Sequence, residues 1–107
     1  MPYLTLNHIV AETRWQDKPI VLTAHHALIH QTKGQAYLHH NVRINWDNDA
    51  YIITTEKATI DQKKRTTFGN QTVTGKGKNG HFSGTGFHIN NDEMVIDGPV
   101  TATFVPE

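Results

Sequence analysis

Hydrophobic and polar positions alternate along most of this chain, and the alternation recurs in units. Ile20-Val21-Leu22-Thr23-Ala24 and Ala27-Leu28-Ile29 lead into a polar turn, Gln31-Thr32-Lys33-Gly34. Ala36-Tyr37-Leu38 and Val42-Arg43-Ile44 lead out of it. A second unit runs from Tyr51-Ile52-Ile53 and Ala58-Thr59-Ile60 round Gln62-Lys63-Lys64 to Thr66-Thr67-Phe68-Gly69 and Val73. A third runs from Phe82-Ser83-Gly84 and Phe87-His88-Ile89 round Asn90-Asn91-Asp92 to Met94-Val95-Ile96, Val100 and Ala102-Thr103-Phe104. Laid over one another, Ile29, Ile60 and Ile89 coincide, and so do Val42, Val73 and Val100 if the third hairpin is two residues shorter. A repeat of about 30 residues with a turn at its centre predicts stacked β-hairpins. Residues 3–10 add one more strand.

Side chains in a strand alternate between two faces, so the phase of each unit predicts an interior. Val21, Thr23, His25, Ala27 and Ile29 are expected on one face, with Ala36, Leu38, Val42 and Ile44 on one face of the returning strand. Carried through the chain, the phases predict a shared interior. It comprises Val21, Ile29, Leu38, Val42, Ile44, Ile52, Ile60, Phe87, Ile89, Met94, Ile96, Val100 and Phe104. Residues 55–65 hold helix formers, but Ala58 and Ile60 lie two apart and have no apolar partner at helical spacing, which favours a strand. Seven of the eight glycines fall between Gly69 and Gly98, and Gly84 and Gly86 inside a strand pattern predict a bulge or bend.

Composition narrows the functional classes. The 107 residues suit a single domain spanning 1–107, and 36% hydrophobic content implies a thin core, with one face wet or a cleft open. Ten basic residues balance ten acidic ones, which argues against a nucleic-acid surface. Without cysteine there is no disulfide, no thiolate nucleophile and no Cys-ligated zinc. The longest apolar run, residues 50–53, falls far short of the ~20 residues that span a bilayer. No signal-peptide pattern follows Met1-Pro2-Tyr3, leaving two expectations: a cytosolic protein, or a soluble domain of a longer precursor.

Candidate chemistry is sparse. Gly75-Lys76-Gly77-Lys78-Asn79-Gly80 has the letters of a dinucleotide loop, but a strand-like segment follows where a helix N-terminus is needed, so a hairpin with Asn79-Gly80 at its tip is expected. The eight histidines are His8, His25, His26, His30, His39, His40, His81 and His88. Adjacent ones such as His25-His26 and His39-His40 should point to opposite faces of a strand. His25 and His40 could meet across a hairpin, but no third ligand is indicated, so no metal and no cofactor is expected. Ser83, the only serine, lacks a strand-to-helix elbow, and no catalytic constellation is predicted. Trp15 and Trp46 flank the first unit and are expected in core or rim packing.

The unit reads T-A-x-x-A-x-I, a polar turn, A-x-L-x-x-N-V-x-I, then I-I-T-T-x-x-A-x-I-D. This resembles the OstA-like domains of lipopolysaccharide export: the periplasmic domain of LptC, with LptA and the N-terminal domain of LptD. The likeness rests on Thr23-Ala24, Ala27, Asn41-Val42, Thr54-Thr55, Ala58-Thr59-Ile60-Asp61, Val73-Thr74-Gly75, Gly84-Thr85-Gly86-Phe87 and Gly98-Pro99-Val100. It covers residues 10–104. The resemblance implies an all-β, OstA-like β-jellyroll of stacked antiparallel hairpins, open along one seam and non-enzymatic. Its apolar interior, the set named above, would bind the acyl chains of lipid A. Its terminal strands would dock by strand addition with LptA-like and ABC-transporter jellyrolls in the periplasm, or with a second copy of the chain. The edge candidates are Leu4, Leu6 and His8 at one end and Thr101 and Thr103 at the other. Residues 3–10 and 100–104 contain no Lys, Arg, Asp or Glu, the residues that normally guard an edge. Two rival readings are an adaptor jellyroll that binds protein edges without lipid, and a small metal-dependent cupin-like enzyme. The cupin motif G-x5-H-x-H-x3,4-E is absent.

Overall fold

The computed structural model describes residues 3–48, 50–78, 80–91 and 93–104, and these form ten strands in one antiparallel sheet. Four are long: β1 (Tyr3–Trp15), β2 (Lys18–His30), β3 (Gln35–Trp46) and β4 (Tyr51–Asp61). Six are short: β5 (Thr66–Gly69), β6 (Val73–Gly77), β7 (Gly80–Gly84), β8 (Gly86–Ile89), β9 (Met94–Asp97) and β10 (Thr101–Phe104). Residues 55–61 continue a strand, so the alternation prevailed over the helix formers, as read. The long strands form a meander, after which the sheet divides. Residues 52–55 of β4 pair with β6, which continues to β7 and β10. Residues 59–61 pair with β5, which continues to β8 and β9.

The division follows a crease that every pass of the chain crosses. β5 and β6, β7 and β8, and β9 and β10 are each one pass interrupted at that line. In the long strands the line is crossed without a break; in β1, β2 and β4 the inward phase changes there, and in β3 an extra residue keeps it. Core positions jump from Leu6 to Ile9, from Ala24 to Ala27, from Leu38 to Val42 and from Thr55 to Ala58. The residues between them (Asn7-His8, His25-His26, His39-His40-Asn41 and Glu56-Lys57) turn away from the core. On β3 this takes one extra residue. His40 and Asn41 adopt left-handed φ of 68° and 58°, and the register slips against both neighbouring strands there.

The crease divides the sheet into two wings whose inner faces meet. Ile20, Leu22, Ile44, Ile53 and Val73 come from one wing, and Ala27, Leu38, Ala58, Phe87 and Ile89 from the other. Ile29, Ile60 and Ile89 fall in one cross-strand row, through Ala36 and Thr67, as the repeat predicts. Gly84 and Gly86 flank the bend at Thr85. A Cβ on Gly84 would stand 2.5 Å from Ile96 Cγ2 and 2.7 Å from the Asp97 carbonyl, so only glycine admits this close approach.

The repeat also explains its turns. The residue after each aligned isoleucine accepts a backbone N–H three positions on. Lys33 N–H donates to His30 Nδ1 (3.2 Å), Lys64 N–H to Asp61 Oδ1 (3.1 Å) and Glu93 N–H to Asn90 Oδ1 (3.0 Å). Short polar side chains that satisfy turn donors in this way fix where the chain reverses.

Candidate functional site: a cleft between two wings

Between the wings lies a cavity of about 450 Å3, within the size range of small-molecule sites. Its floor is apolar: Ile20, Leu22 and Ile44 from one wing, Ile60 and Ile89 from the other. The mouth is polar, with Arg14, Gln62, Arg65, Asn90 and Asn91. Trp15 bridges the two wings, its Nε1–H donating to the Asn90 carbonyl at 2.7 Å. Trp46 packs edge-on to Trp15 at 5.1 Å between ring centres and donates to its carbonyl at 3.2 Å. Both tryptophans are rim residues, as read from the sequence. Trp15 also lines a second cavity of about 410 Å3 with Trp46, Ile53, Phe82 and Met94, so it stands between two adjoining apolar chambers.

Most of the interior read from strand phase lies in or beside this cleft. Leu38, Val42, Ile44, Phe87 and Ile89 are buried, and Ile60, Met94 and Ile96 pack against them. Ile29 is half-buried in the inward row described above. Three positions differ. Val21 pairs with Glu12 and Asn45 on the outer face, because β2 changes phase at the crease and its first half points Ile20, Leu22 and Ala24 inward. Thr23 goes outward with it. Ile52 is likewise outward, in a groove with Arg43, Thr54, Thr74 and Lys76, and Ile53 takes the interior place. Val100 is 47% exposed, ahead of an edge strand that nothing covers among the described residues. The side chain of Phe104 and the hairpin-tip residue Asn79 lie outside the described residues; Gly77 and Gly80 pair across that tip. Ile20, Leu22 and Ile53 were missed. Their signal was the run Ile20, Leu22, Ala24 in one phase followed by Ala27 and Ile29 in the other.

The edge residues are where the strand order puts them. Among the described residues β1 pairs only with β2, so Leu4 and Leu6 lie on an edge free of them, and His8 lies in its crease with a left-handed φ of 56°. Among the same residues β10 pairs only with β7, which leaves Thr101 and Thr103 on the opposite side with β9, a second edge there. β1 runs five residues beyond the predicted strand end and so acquires Glu12 and Arg14.

The histidines overturn one expectation. Adjacent pairs do not divide between faces, because each falls at the crease, where consecutive residues turn outward together. His39 and His40 rings lie 4.9 Å apart with Nδ1 atoms 3.1 Å apart, and His26 is 5.3 and 5.4 Å from them. His25 meets His8 at 5.7 Å. Desolvation, and then His39, His40, His25 and His8, lower the pKa of His26 below its ordinary 6.5. Among the described residues no group of three or more His, Cys, Asp or Glu is placed to hold a metal ion.

The profile of the lipopolysaccharide-assembly, LptC-related family matches residues 5–97. The chain belongs to that family. No individual curated protein matches it. The LptC-related family serves lipopolysaccharide transport, is not known for enzymatic activity, and its domain is of the periplasmic type. The match spans both wings, every interior row and the crease. Among the described residues no helix is long and apolar enough to cross a membrane.

Proposed function

We propose that the cleft between the wings binds the acyl chains of lipid A, and that the free edges pass the lipid along by docking with partner jellyrolls. The observation that carries this reading is an apolar floor under a polar mouth that holds Arg14 and Arg65 together with the carboxylate of Asp61. Isoleucine and leucine side chains offer acyl chains an environment free of unsatisfied polar groups. Arg14 and Arg65 at the rim suit the phosphates of the lipid head group, since a guanidinium pairs with phosphate in a forked, charge-assisted geometry. Trp15, between the two chambers, would be displaced or flanked as chains enter. Docking follows from unpaired backbone N–H and C=O groups on β1 at one side and β10 at the other.

The test is site-specific photo-crosslinking to lipopolysaccharide. A benzoylphenylalanine at Ile60 or Ile89 is expected to capture lipid, and one at Val21 or Ile52 on the outer face is not. Equal capture on both faces, or none inside, would remove the lipid-carrier reading. If inner positions stay silent while the edges still capture protein partners, the chain is an adaptor.

A further inference from the structure

The dinucleotide-like letters Gly75-Lys76-Gly77 fall on β6, and the two glycines do work of another kind there. They lie two apart and in phase with the buried Val73, so they leave a strip of the inner face without side chains. Phe82 stands opposite Gly75 in the register and lies over it, where a Cβ would collide with the ring. The Tyr51 ring lies over Gly77, where a Cβ would stand 3.2 Å from it. Two missing Cβ atoms thus let two aromatic rings lie close on the sheet.

Trp46 pairs with Tyr51 across β3 and β4, their ring centres 5.1 Å apart, and Trp15 meets Trp46 at 5.1 Å. These four rings, with Met94 of β9, line the second chamber of about 410 Å3. We propose that this chamber binds a pyranose ring, the sugar of a glycolipid head group whose acyl chains occupy the adjoining cleft. The proposal rests on the lipid-carrier reading for that placement and extends it from the chains to the head group.

A pyranose carries C–H groups on its faces and hydroxyls round its rim, so it needs flat apolar walls with polar groups at the edge. Both indole N–H groups of the chamber are already committed, Trp15 to the Asn90 carbonyl at 2.7 Å and Trp46 to the Trp15 carbonyl at 3.2 Å. These bonds hold the rings in place before a ligand arrives and leave them as apolar surfaces, which lowers the ordering cost of binding. Tyr51 is 40% exposed, an aromatic surface that a bound ring would cover.

At the rim, Glu93 and Gln16 bring a carboxylate that accepts from hydroxyls and an amide that both donates and accepts. Lys76 lines the chamber too, and is shared with the outer groove. Its charge balances that of Glu93, so a neutral ring fits better than a free ammonium, which aromatic walls with an unopposed carboxylate would favour. Trp15 is a wall of both chambers, so a ring in one adjoins chains in the other.

The chain has two tryptophans and both line this chamber, so intrinsic fluorescence reads its occupancy. The test titrates the full chain with diacetylchitobiose, an uncharged amino-sugar disaccharide without long acyl chains, at millimolar concentrations. A saturable shift of tryptophan emission is expected. Tyr51→Ala should weaken binding about tenfold, and Glu93→Gln should weaken it as well. Phe68→Ala, which removes an exposed aromatic on β5, should leave it unchanged. No saturable response, a response that Tyr51→Ala and Glu93→Gln leave intact, or a stronger response to choline chloride would overturn the proposal. Lipid captured at Ile60 and Ile89 beside silent tryptophans would remove the sugar chamber and leave the acyl cleft standing. A tryptophan response without such capture would support the sugar chamber and remove the carrier reading.

Discussion

His30, Asp61 and Asn90 have different chemistry and do the same job. Each follows an aligned isoleucine and accepts the N–H that would otherwise go unpaired in the turn. Only Asp61 carries charge into the task. It accepts from Lys63 N and Lys64 N, both at 3.1 Å, and from Gln35 Nε2 at 3.3 Å. The Lys64 N–H, then Gln35, hold its carboxyl below the ordinary 3.8, although burial pulls the other way. The sign follows from linkage. A carboxylate with a lowered folded-state pKa contributes stability that is fully present above its unfolded value, near 3.9, and is lost as pH falls through the folded value. Asp61→Ala should therefore lower the urea midpoint of unfolding by a constant amount from pH 7 to about pH 5, and the gap to the wild-type chain should close below about pH 3.9. A gap that persists unchanged at pH 2 would mean that Asp61 acts through packing instead. The neighbouring turns also share a left-handed residue, Gly34 with φ of 67° in one and Arg65 with φ of 55° in the other. The sequence showed Gly34 as a turn residue. It did not show Arg65, because an arginine held there against its preference leaves no local signature.

At the scale of elements, the crease decides which residues face the cleft. The period-two pattern identified strands well, including the unhelical stretch through Ile60. It misplaced Val21 and Ile52 because a single change of phase moves every later side chain to the other face. The clue was present but ambiguous. Ile20-Val21-Leu22 and Tyr51-Ile52-Ile53 are apolar on both phases, so local sequence could not choose between them. In the later passes the crease is written in glycine instead, and there the bend was legible from Gly84 and Gly86. Gly84→Ala should destabilise the fold by about 1–3 kcal/mol, since the new methyl meets Ile96 and the Asp97 carbonyl of β9. Gly77→Ala is the comparison: its nearest neighbour is the Tyr51 ring at 3.2 Å, on an exposed side chain that can shift. Chemical denaturation of both variants would check this, and equal effects would mean that the crease is not tightly packed at Gly84.

Across the whole molecule, the strand order leaves β1 free on one side and β9 with β10 free on the other. Both sides therefore offer backbone groups to a partner, although Glu12 and Arg14 make the far half of β1 less inviting than its start. A photo-crosslinker at Leu6 or Thr103 should capture a partner jellyroll or a second copy of the chain at concentrations where one at Lys63 or Lys64, in a turn, does not. Equal labelling at all four sites would remove docking through the edges. The sequence by itself determined the antiparallel all-β class, the hairpin repeat, the polar turns at its centre and the terminal strands at the edges. These depend on neighbours within about 30 residues, where alternation and turn chemistry act directly. Only the tertiary structure decided that Ile20 and Leu22 rather than Val21 line the cleft, that Trp15 ties one wing to the other, and that paired histidines share a face. Each of these depends on how the strands cross the shared crease, where β1, β2 and β4 change phase and β3 takes an extra residue. Such a change is selected by packing two wings against each other, and no single strand can register it alone.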